Sequence, residues 1–491
     1  MGEEFWVACD KSVTEKERVK MPTVIGVDSS TQSCKVLVVD VDSGEILSEA
    51  RTGHPDGTEI DPELWWAALQ SALDQVDTSD VQAISIGAQQ HGLVALDASG
   101  EVVRPALLWN DTRSAPQAEH IIAEFGAANL AERTGSVPVA SFTSSKLAWV
   151  RQHEPQLATK IAAVALPHDW LTWRLRGYGP KRDSRYGPQL EELVTDRSDA
   201  SGTGYFSPVN NSYDDQILDF VLGHRPVLPK VLGAGESAGK TENGWIVGPG
   251  GGDNAIAALG LETHVGDVVM SLGTSGTVFA ATSKPANDAT GTVGGFADAA
   301  GGFLPLVATL NASRPIDSVR QLLGLSWEQF SSAVQSAAPG SGGLTLLPFF
   351  DGERTPNLPD ATGLLGGISR FSLTPANMAR AAVEGVVSNL SHGLEAIVKQ
   401  TEKLNRLMLI GGGAQNFGVQ HVVSQSVSLP VIVPEPGEYV AFGAAKQAAW
   451  VLTGKRPGWE LKSRALPTGD IHSAALNQFD DLLEKYVENT D

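Results

Sequence analysis

The sequence predicts an α/β protein with two domains of mixed β-sheet and a ligand cleft between them. In each half, strand-like segments joined by tight turns come first, and alternating helices and strands follow. Near the start of each half, an apolar run ends in a turn of small and hydroxyl residues. A glycine-rich break at 248–252 separates the halves and marks the predicted domain boundary. Ligands of such sheets bind beyond the strand ends, so we expect the two turns to face one another.

Apolar periodicity and turn residues predict the elements of the first half. Residues 42–44 (DSG) and 97–100 (DASG) indicate hairpin turns. The predicted strands are 24–27, 35–41, 45–51, 83–87, 92–96 and 102–108, and the predicted helices are 62–76, 117–125 and 144–151.

The second half repeats the pattern. Thr374 and Pro375 supply an N-cap and a proline at the first helical position of a long buried helix, and Gly454 ends the last helix. The predicted strands are 268–272, 277–281, 294–299, 302–308, 406–410 and 430–433, and the predicted helices are 378–398 and 441–452.

The composition limits the possible partners. The chain has 491 residues and a formal net charge of −21, a charge that repels nucleic acid and anionic membranes. No apolar run reaches the roughly 18 residues of a membrane span. Only Cys9 and Cys34 occur, which is typical of a reducing cytoplasm. Residues 1–20 are polar, and we expect them to form a disordered N-terminal extension.

The two small-residue turns, at 28–33 and 273–277, are candidate phosphate sites. Backbone N–H groups approach phosphate oxygens closely only beside glycine or short hydroxyl residues, and each hydroxyl adds a donor of its own. An ordinary hairpin turn is the alternative for either segment, since Ser, Thr and Gly are common in turns.

Two aspartates lie beside these flexible segments. Asp253 follows the glycine-rich break, and at the mouth of a cleft its carboxylate could accept a proton from a hydroxyl that attacks phosphorus. The alternative is a helix N-cap, which the local sequence alone favours. Asp28 could hold Mg²⁺ beside nucleotide phosphates, because this cation prefers oxygen ligands. A turn-initiating aspartate that bonds its own backbone is the alternative for Asp28.

Clusters of polar and aromatic residues end strands or loops of the first half, at 90–92 (QHG), 109–111 (WND) and 168–170 (HDW). Amides and carboxylates bond hydroxyl groups and an indole face covers C–H surface, as polyhydroxylated ligands require. A structural role is the alternative for any single His or Trp. In the second half, 411–416 (GGGAQN) suits an adenosine site but lacks GxGxxG and GxxxxGK[ST] spacing. His/Cys metal-ligand spacing is also missing from the sequence.

Read in chain order, these segments resemble the FGGY family of carbohydrate kinases. The resemblance implies two actin-like (ribonuclease H-type) domains with an interdomain cleft, the N-terminal one over 21–248 binding sugar and the C-terminal one over 249–491 binding ATP. It further implies that the chain phosphorylates D-xylulose with ATP and Mg²⁺, in the cytoplasm and as a homodimer. The matching segments run from about residue 24 to 446 and are IGVDSSTQSCKVLVVD, GAQQHGLVALD, LLWNDTR, LPHDW, TDRSDASGTGYF, GGGDNAIAALG, SLGTSGTV, FFDGERTPNLPDATG and LIGGGAQN.

The resemblance also implies a role for each candidate residue. Asp253 becomes the general base that contacts the terminal sugar hydroxyl, and Asp28 becomes the carboxylate near Mg²⁺. The remaining expected sugar contacts are Gln90, His91, Trp109 and Asp111, and the expected ATP contacts are Thr31, Ser33, Gly273, Thr274, Ser275, Gly412, Gly413 and Asn416.

Alternatives stay open at this point. The acceptor could be ribulose, glycerol or gluconate, and a gluconate site would need a nearby cation such as Arg113. A non-catalytic actin-like ATPase is the alternative from another class, and it predicts nucleotide binding without sugar-stimulated turnover. Segment 178–193 departs from the family pattern as an insertion made basic by Lys181, Arg182 and Arg185. We expect it to be a solvated surface loop.

Overall fold

The structure, a computed structural model, describes residues 22–401 and 403–488. The expected extension over 1–20 and Cys9 lie outside the described residues. The strands of the first half are β1 (Thr23–Ser29), β2 (Ser33–Asp40), β3 (Ile46–Gly53), β4 (Glu59–Ile60), β5 (Val81–Ala88), β6 (Val94–Leu96), β7 (Ala106–Leu107), β8 (Ala163–Ala165), β9 (Val194–Asp196), β10 (Phe206–Ser207), β11 (Ser212–Tyr213), β12 (Lys230–Leu232), β13 (Gly239–Lys240), β14 (Ile246–Val247) and β15 (Gly251–Gly252). Those of the second half are β16 (Asp267–Leu272), β17 (Gly276–Ala280), β18 (Gly294–Ala297), β19 (Phe303–Thr309), β20 (Thr345–Leu347), β21 (Leu364–Gly366), β22 (Arg406–Ile410), β23 (Val431–Pro434) and β24 (Ser463–Ala465).

The long helix of the second half begins at residues whose chemistry favours a helix start. Thr374 accepts a hydrogen bond from the backbone N–H of Asn377 and Pro375 follows it, which confirms the predicted start of the long helix α12. The helices are α1 (Pro62–Leu73), α2 (Ala115–Phe125), α3 (Ala127–Thr134), α4 (Thr143–His153), α5 (Pro155–Ala158), α6 (Pro167–Leu175), α7 (Arg197–Ser201), α8 (Asp215–Leu222), α9 (Asp253–Gly260), α10 (Ser313–Leu322), α11 (Trp327–Ser336), α12 (Pro375–Gln400), α13 (Phe417–Ser426), α14 (Tyr439–Thr453) and α15 (Ala474–Glu488).

Two large mixed sheets confirm the predicted fold class. The first has the order β13–β14–β5–β1–β2–β3, and β15 also pairs with β5. The second has the order β18–β19–β17–β16–β22–β23–β24. In both sheets the opening strand pairs antiparallel with the next strand and parallel with a later one, as in β1 with β2 and β5, and in β16 with β17 and β22. This repeat is the ribonuclease H-type arrangement that the family resemblance implies.

Helix α14 belongs to the second half in sequence but packs on the first sheet. Its alanines 441, 445, 448 and 449 share a buried cluster with apolar side chains of β1, β2 and β5. It also crosses α9 so closely that a Cβ on Gly443 would lie 1.9 Å from the carbonyl oxygen of Ile256. Only glycine fits at this crossing. Because α14 continues the chain of the second half and packs on the sheet of the first, it joins the two halves.

One predicted hairpin differs from the structure. Residues 92–108 do form a turn, with isolated bridges from Leu93 to Leu107 and from Leu96 to Val102. The strands, however, pair elsewhere, because β6 pairs with β8 and β7 pairs with β4. Strands from distant parts of the sequence supply the hydrogen-bond partners of β6 and β7. The local alternation of apolar and polar residues does not reveal which strands these partners are.

The insertion at 178–193 is a surface loop whose ends pack on the protein. Tyr178 stacks on the Trp173 ring with centroids 6.4 Å apart, and Leu190 is buried. Arg182 pairs with Glu101 and Arg185 with Glu242, at 3.0 Å and 3.7 Å. Lys181, Arg182 and Arg185 are all exposed, as expected of a solvated surface loop, and the two arginines pair with neighbouring acids.

Two further findings bear on the predicted environment. Cys34 is a buried free thiol. Across the part of the chain that the structure describes, no helix has the length and apolar character needed to cross a membrane.

Candidate active site

Asp28 lies at the end of β1, at the start of the first small-residue turn. Its carboxylate accepts a hydrogen bond from the Ser30 hydroxyl and lies 3.4 Å from the Lys35 ammonium. Burial raises the pKa of Asp28, and the Lys35 charge partly offsets this effect. Lys35 also pairs with Glu438 at 2.5 Å, immediately before α14. Sequence reasoning missed Lys35 because its partners become visible only when β2 pairs with β1.

The first turn is held from two sides. His54 contributes its ring, with Nδ1 lying 2.9 Å from the Ser30 carbonyl oxygen. The Thr31 hydroxyl accepts a 2.8 Å bond from the indole N–H of Trp109, so a predicted sugar residue is bonded directly to a predicted phosphate residue. The Ser33 hydroxyl is buried and accepts a bond from Arg51 at 3.1 Å.

The second turn joins β16 to β17 and carries Gly273, Thr274 and Ser275. Backbone N–H groups at the start of α10 support it, since the N–H of Ser313 donates to the Gly273 carbonyl at 3.0 Å. Thr274 is exposed and Ser275 partly exposed. Both hydroxyls are therefore accessible to a ligand.

A cavity of about 1380 Å³ extends from this second turn. Of the predicted nucleotide residues, Gly273, Thr274, Gly412, Gly413 and Asn416 all line it. Its walls also include residues that the sequence reasoning did not single out: Arg314, Asp317, Trp327, Phe417 and Arg464.

Asn416 has a defined orientation in this cavity. Its Oδ1 caps α13 by accepting the N–H groups of Gly418 and Val419 at 2.8 Å and 3.2 Å. The Ser331 hydroxyl donates to the same oxygen at 2.9 Å. Within the described ranges no hydrogen bond uses the Asn416 Nδ2, which leaves two N–H donors for a ligand.

Asp253 is the first residue of α9, and the N-cap position belongs to Gly252. The N-cap alternative for Asp253 is therefore wrong. Among the residues that the structure describes, the hydrogen bonds to the Asp253 carboxylate come from its neighbour Asn254, from the backbone N–H at 2.8 Å and the side-chain amide at 2.9 Å. Burial, followed by the negative charge of Asp28, raises the pKa of Asp253 to about 7. Asp28 and Asp253 therefore interact electrostatically, and Asp253 can exchange a proton near neutral pH.

The strap 249–252, which leads into Asp253, is fixed by buried polar side chains. Gln447 of α14 accepts the Gly250 N–H at 2.9 Å and donates to the Gly250 carbonyl at 3.0 Å. The Ser198 hydroxyl accepts the Gly252 N–H at 3.2 Å. Gln90 donates to the Ser198 carbonyl at 3.0 Å and packs against Gly252, where a Cβ would lie 2.5 Å from its Cγ. The predicted sugar residue Gln90 thus adjoins the predicted base.

His91 adopts an unusual backbone conformation, with φ at +66°. Its Nδ1 lies 2.6 Å from the Gly202 carbonyl oxygen, so in the neutral ring the proton sits on Nδ1 and Nε2 is an acceptor. Burial lowers the pKa of His91 to about 3, which keeps the ring neutral. Its ring contacts those of Phe142 and Phe296, so aromatic side chains enclose it.

Asp111 is buried and already well bonded. It accepts from the Thr58 hydroxyl at 2.8 Å and from the Arg113 Nε at 2.9 Å. Burial is the largest single influence and raises the pKa of Asp111, but the hydrogen bonds from Arg113 and Thr58 and the Arg113 charge together outweigh it and hold the pKa below its ordinary value. Arg113 also pairs with Glu59 at 2.8 Å. A ligand hydroxyl could donate only to a lone pair of the Asp111 carboxylate that the bonds from Thr58 and Arg113 do not occupy.

The third cluster, at 168–170, lies in the core, so the expectation that it lines a sugar site is wrong. His168 and Asp169 are completely buried, and His168 Nδ1 lies 2.5 Å from Asp199. Although burial opposes it, the charges of Asp169 and Asp199 raise the pKa of His168. His168 Nε2 contacts the Pro249 carbonyl at 3.2 Å, so this network supports the strap.

Comparison with known proteins gives a consistent result. The N-terminal domain description of the FGGY family of carbohydrate kinases matches residues 23–260, and the C-terminal domain description matches residues 268–452. The chain is 48% identical over 452 residues to the xylulose kinase of Streptomyces rubiginosus, covering 89% of each chain. It is 47% identical over 450 residues to that of Streptomyces coelicolor, covering 88% of this chain and 89% of the relative. A crystal structure of xylulose kinase from Bifidobacterium adolescentis superposes with a TM-score of 0.87 at 42% identity, covering 94% of this chain and 99% of that one.

Proposed function

This chain belongs to the FGGY family of carbohydrate kinases, and on that premise we propose that it transfers the terminal phosphoryl group of ATP to D-xylulose, giving D-xylulose 5-phosphate. That it is a sugar kinase follows from the family, and so does ATP as the phosphoryl donor. The two Streptomyces relatives, both named xylulose kinase, support D-xylulose as the acceptor.

The environment of Asp253 is the observation that carries this proposal. A carboxyl whose pKa is about 7 is poised to take a proton from an alcohol at neutral pH. It adjoins Gln90, a proposed sugar contact, and interacts with Asp28 beside the first phosphate turn. A base between a sugar subsite and a phosphate turn is what phosphoryl transfer to an alcohol requires.

In the proposed reaction, Asp253 accepts the proton of the terminal ketose hydroxyl as that oxygen attacks the γ-phosphorus. The new P–O bond forms while the bond to the ADP oxygen breaks, and ADP leaves. The neutral His91 accepts a hydrogen bond from a sugar hydroxyl at Nε2, and Gln90, Trp109 and Asp111 line the same subsite. Turns 28–33 and 273–277 hold the phosphates, and Gly412, Gly413 and Asn416 hold the adenosine. These groups act mainly by positioning the reactants and excluding water.

The residues around Asp28 fit a bound Mg²⁺. Its carboxylate and the neighbouring Ser30 hydroxyl offer the oxygen atoms that this cation prefers. A cation beside Asp28 would also offset the cost of burying that carboxylate, which is visible in its raised pKa. When bound, Mg²⁺ would neutralise part of the phosphate charge.

Gluconate is disfavoured as an acceptor, because the candidate cation Arg113 is already occupied. It is bonded to both Asp111 and Glu59, and its guanidinium lies 5.1 Å from the centre of the Trp149 ring. A carboxylate substrate would have to displace one of these acids.

A panel of acceptors tests the proposed substrate. D-Xylulose, D-ribulose, glycerol and gluconate are compared with ATP and Mg²⁺ in a coupled assay of ADP release. We expect D-xylulose to give the highest kcat/KM. A higher value for another acceptor would reassign the substrate, and ADP release that no acceptor stimulates would contradict the proposed reaction.

We also propose that the domain over 21–248 binds the sugar and the domain over 249–491 binds ATP. The cytoplasmic location and the homodimer are proposals too. Light scattering in solution tests the homodimer, which predicts twice the mass of the chain.

A further inference from the structure

Lys146 is a buried lysine for which the proposed reaction has no direct use. It lies in the first turn of α4, and its side chain is completely buried. Its Nζ donates to two backbone carbonyls, that of His91 at 2.8 Å and that of Ser141 at 2.5 Å. In the described part of the chain no carboxylate forms an ion pair with this ammonium. A cation in this position is doubly unfavourable, because it is desolvated and lies at the positive end of a helix.

Lys146 contacts a residue whose backbone is strained, His91. Residues other than glycine rarely adopt a φ of +66°. The His91 carbonyl, which this conformation turns toward α4, accepts from Lys146 and also from the Thr143 hydroxyl at 3.3 Å. The imidazole is fixed separately by the Gly202 carbonyl. Backbone and ring of His91 are therefore held by different partners.

We propose that Lys146 is a positioning residue for the sugar subsite: it holds the His91 carbonyl and so keeps Nε2 of the imidazole directed at the ligand. Lys146 does not touch the sugar itself. Two N–H donors are needed for the two carbonyls, and both the charged and the neutral amine supply them. The proposal rests on the proposed function in one respect, namely that His91 contacts the sugar.

Lys446 provides a matched control. Its side chain is equally buried, and its Nζ donates to Glu262 and to the Trp459 carbonyl. None of these groups belongs to the proposed sugar subsite. Replacing either lysine removes a buried amine, but only the Lys146 replacement should weaken sugar binding.

The test compares Lys146→Met, His91→Ala, the double variant and Lys446→Met. Steady-state kinetics give kcat and the KM values for ketose and ATP, and calorimetric titration gives ketose affinity without nucleotide. We expect Lys146→Met to raise the ketose KM by about tenfold with little change in the ATP KM. The double variant should bind ketose no more weakly than His91→Ala, because both changes remove the same contact. Lys446→Met should leave the ketose KM unchanged.

An unchanged ketose KM in a folded Lys146→Met enzyme overturns the proposal. The proposal is also overturned if the fold-losses in ketose affinity of Lys146→Met and His91→Ala multiply in the double variant. If Lys146→Met fails to fold, Lys146→Gln is read in the same way, because its amide stops about one bond short of the His91 carbonyl. If the wild-type enzyme phosphorylates another acceptor of the panel instead, the D-xylulose assignment fails and the same comparison is made with that acceptor. Wild-type protein that binds no acceptor overturns both proposals.

Discussion

Replacing Asp253 by asparagine tests the chemistry and the electrostatics of the cleft in one protein. Asparagine keeps the shape of the side chain but cannot accept the proton of the sugar hydroxyl. We expect kcat for ketose phosphorylation to fall by about 10²–10⁴-fold. The KM for ATP should change by less than about twofold, because the proposed nucleotide contacts lie in other segments.

The same substitution should stabilise the folded protein. Burial and the Asp28 charge raise the pKa of Asp253 from 3.8 to about 7. A carboxyl whose pKa is raised by folding costs stability once the pH exceeds its unfolded value. At 1.36 kcal/mol per pH unit, the difference of about 3 corresponds to about 4 kcal/mol at neutral pH. Because Asp253 is partly exposed, solvent screening reduces this figure, and we expect a gain of about 1–3 kcal/mol.

Coupled ADP release measures the first effect, and thermal or urea unfolding at two pH values measures the second. The stabilisation should be complete at about pH 8 and should shrink as the pH falls through 7 toward 4, because wild-type Asp253 then becomes protonated in the folded state. A variant that keeps more than about a tenth of wild-type kcat rules out Asp253 as the base. A variant less stable than wild type at pH 8 refutes the electrostatic argument on its own.

Three further outcomes are expected. The kcat/KM of the wild-type enzyme should rise with pH with an apparent pKa near 7, since the base must be deprotonated, and a profile that is flat between about pH 6 and 8 would contradict this. Trp109→Phe removes the indole N–H bonded to Thr31 and should raise the KM values for ketose and ATP about threefold, whereas unchanged values would mean that this bond does not position the turn. Gly252→Ala should lower kcat at least about tenfold because the new Cβ displaces Gln90, whereas Gly458→Ala, where a Cβ meets nothing within 4 Å, should leave kcat unchanged.

The sequence predicted where the small-residue turns follow strands, because that depends on local chemistry. The turn at 28–33 and the glycines at 411–413 follow strands directly, and a strand that ends in small residues is visible in the sequence alone. The second turn was visible for the same reason, because apolar residues of β16 precede it. Fold class was predictable too, since the order of hairpins and helices repeats in the two halves.

The supporting groups could not be predicted, because each acts on a segment far away in sequence. Gln447 bonds Gly250, and Lys146 bonds His91, only after the chain has folded. The 168–170 cluster shows the opposite error. Its polar residues resemble a ligand site locally. In the structure His168 contacts Asp199, and the polar residues form a buried network in the core. The sequence composition does not distinguish a polar side chain that is hydrogen-bonded within the protein from one that is free to bind a ligand.

Helix α14 belongs to the second half but contacts groups beside Asp28 in the first half as well as the strap before Asp253. Before its first turn Glu438 pairs with Lys35 beside Asp28, and in its third turn Gln447 clamps the strap that leads into Asp253. The proposed base Asp253 and the proposed Mg²⁺ ligand Asp28 are therefore both positioned from one helix. Moving α14 away from the first sheet would leave the donors and acceptors around Gln447 unbonded in the interior, at a cost of about 1–3 kcal/mol for each group. Any closure of the cleft should therefore leave this helix in place and bend the chain on either side of it.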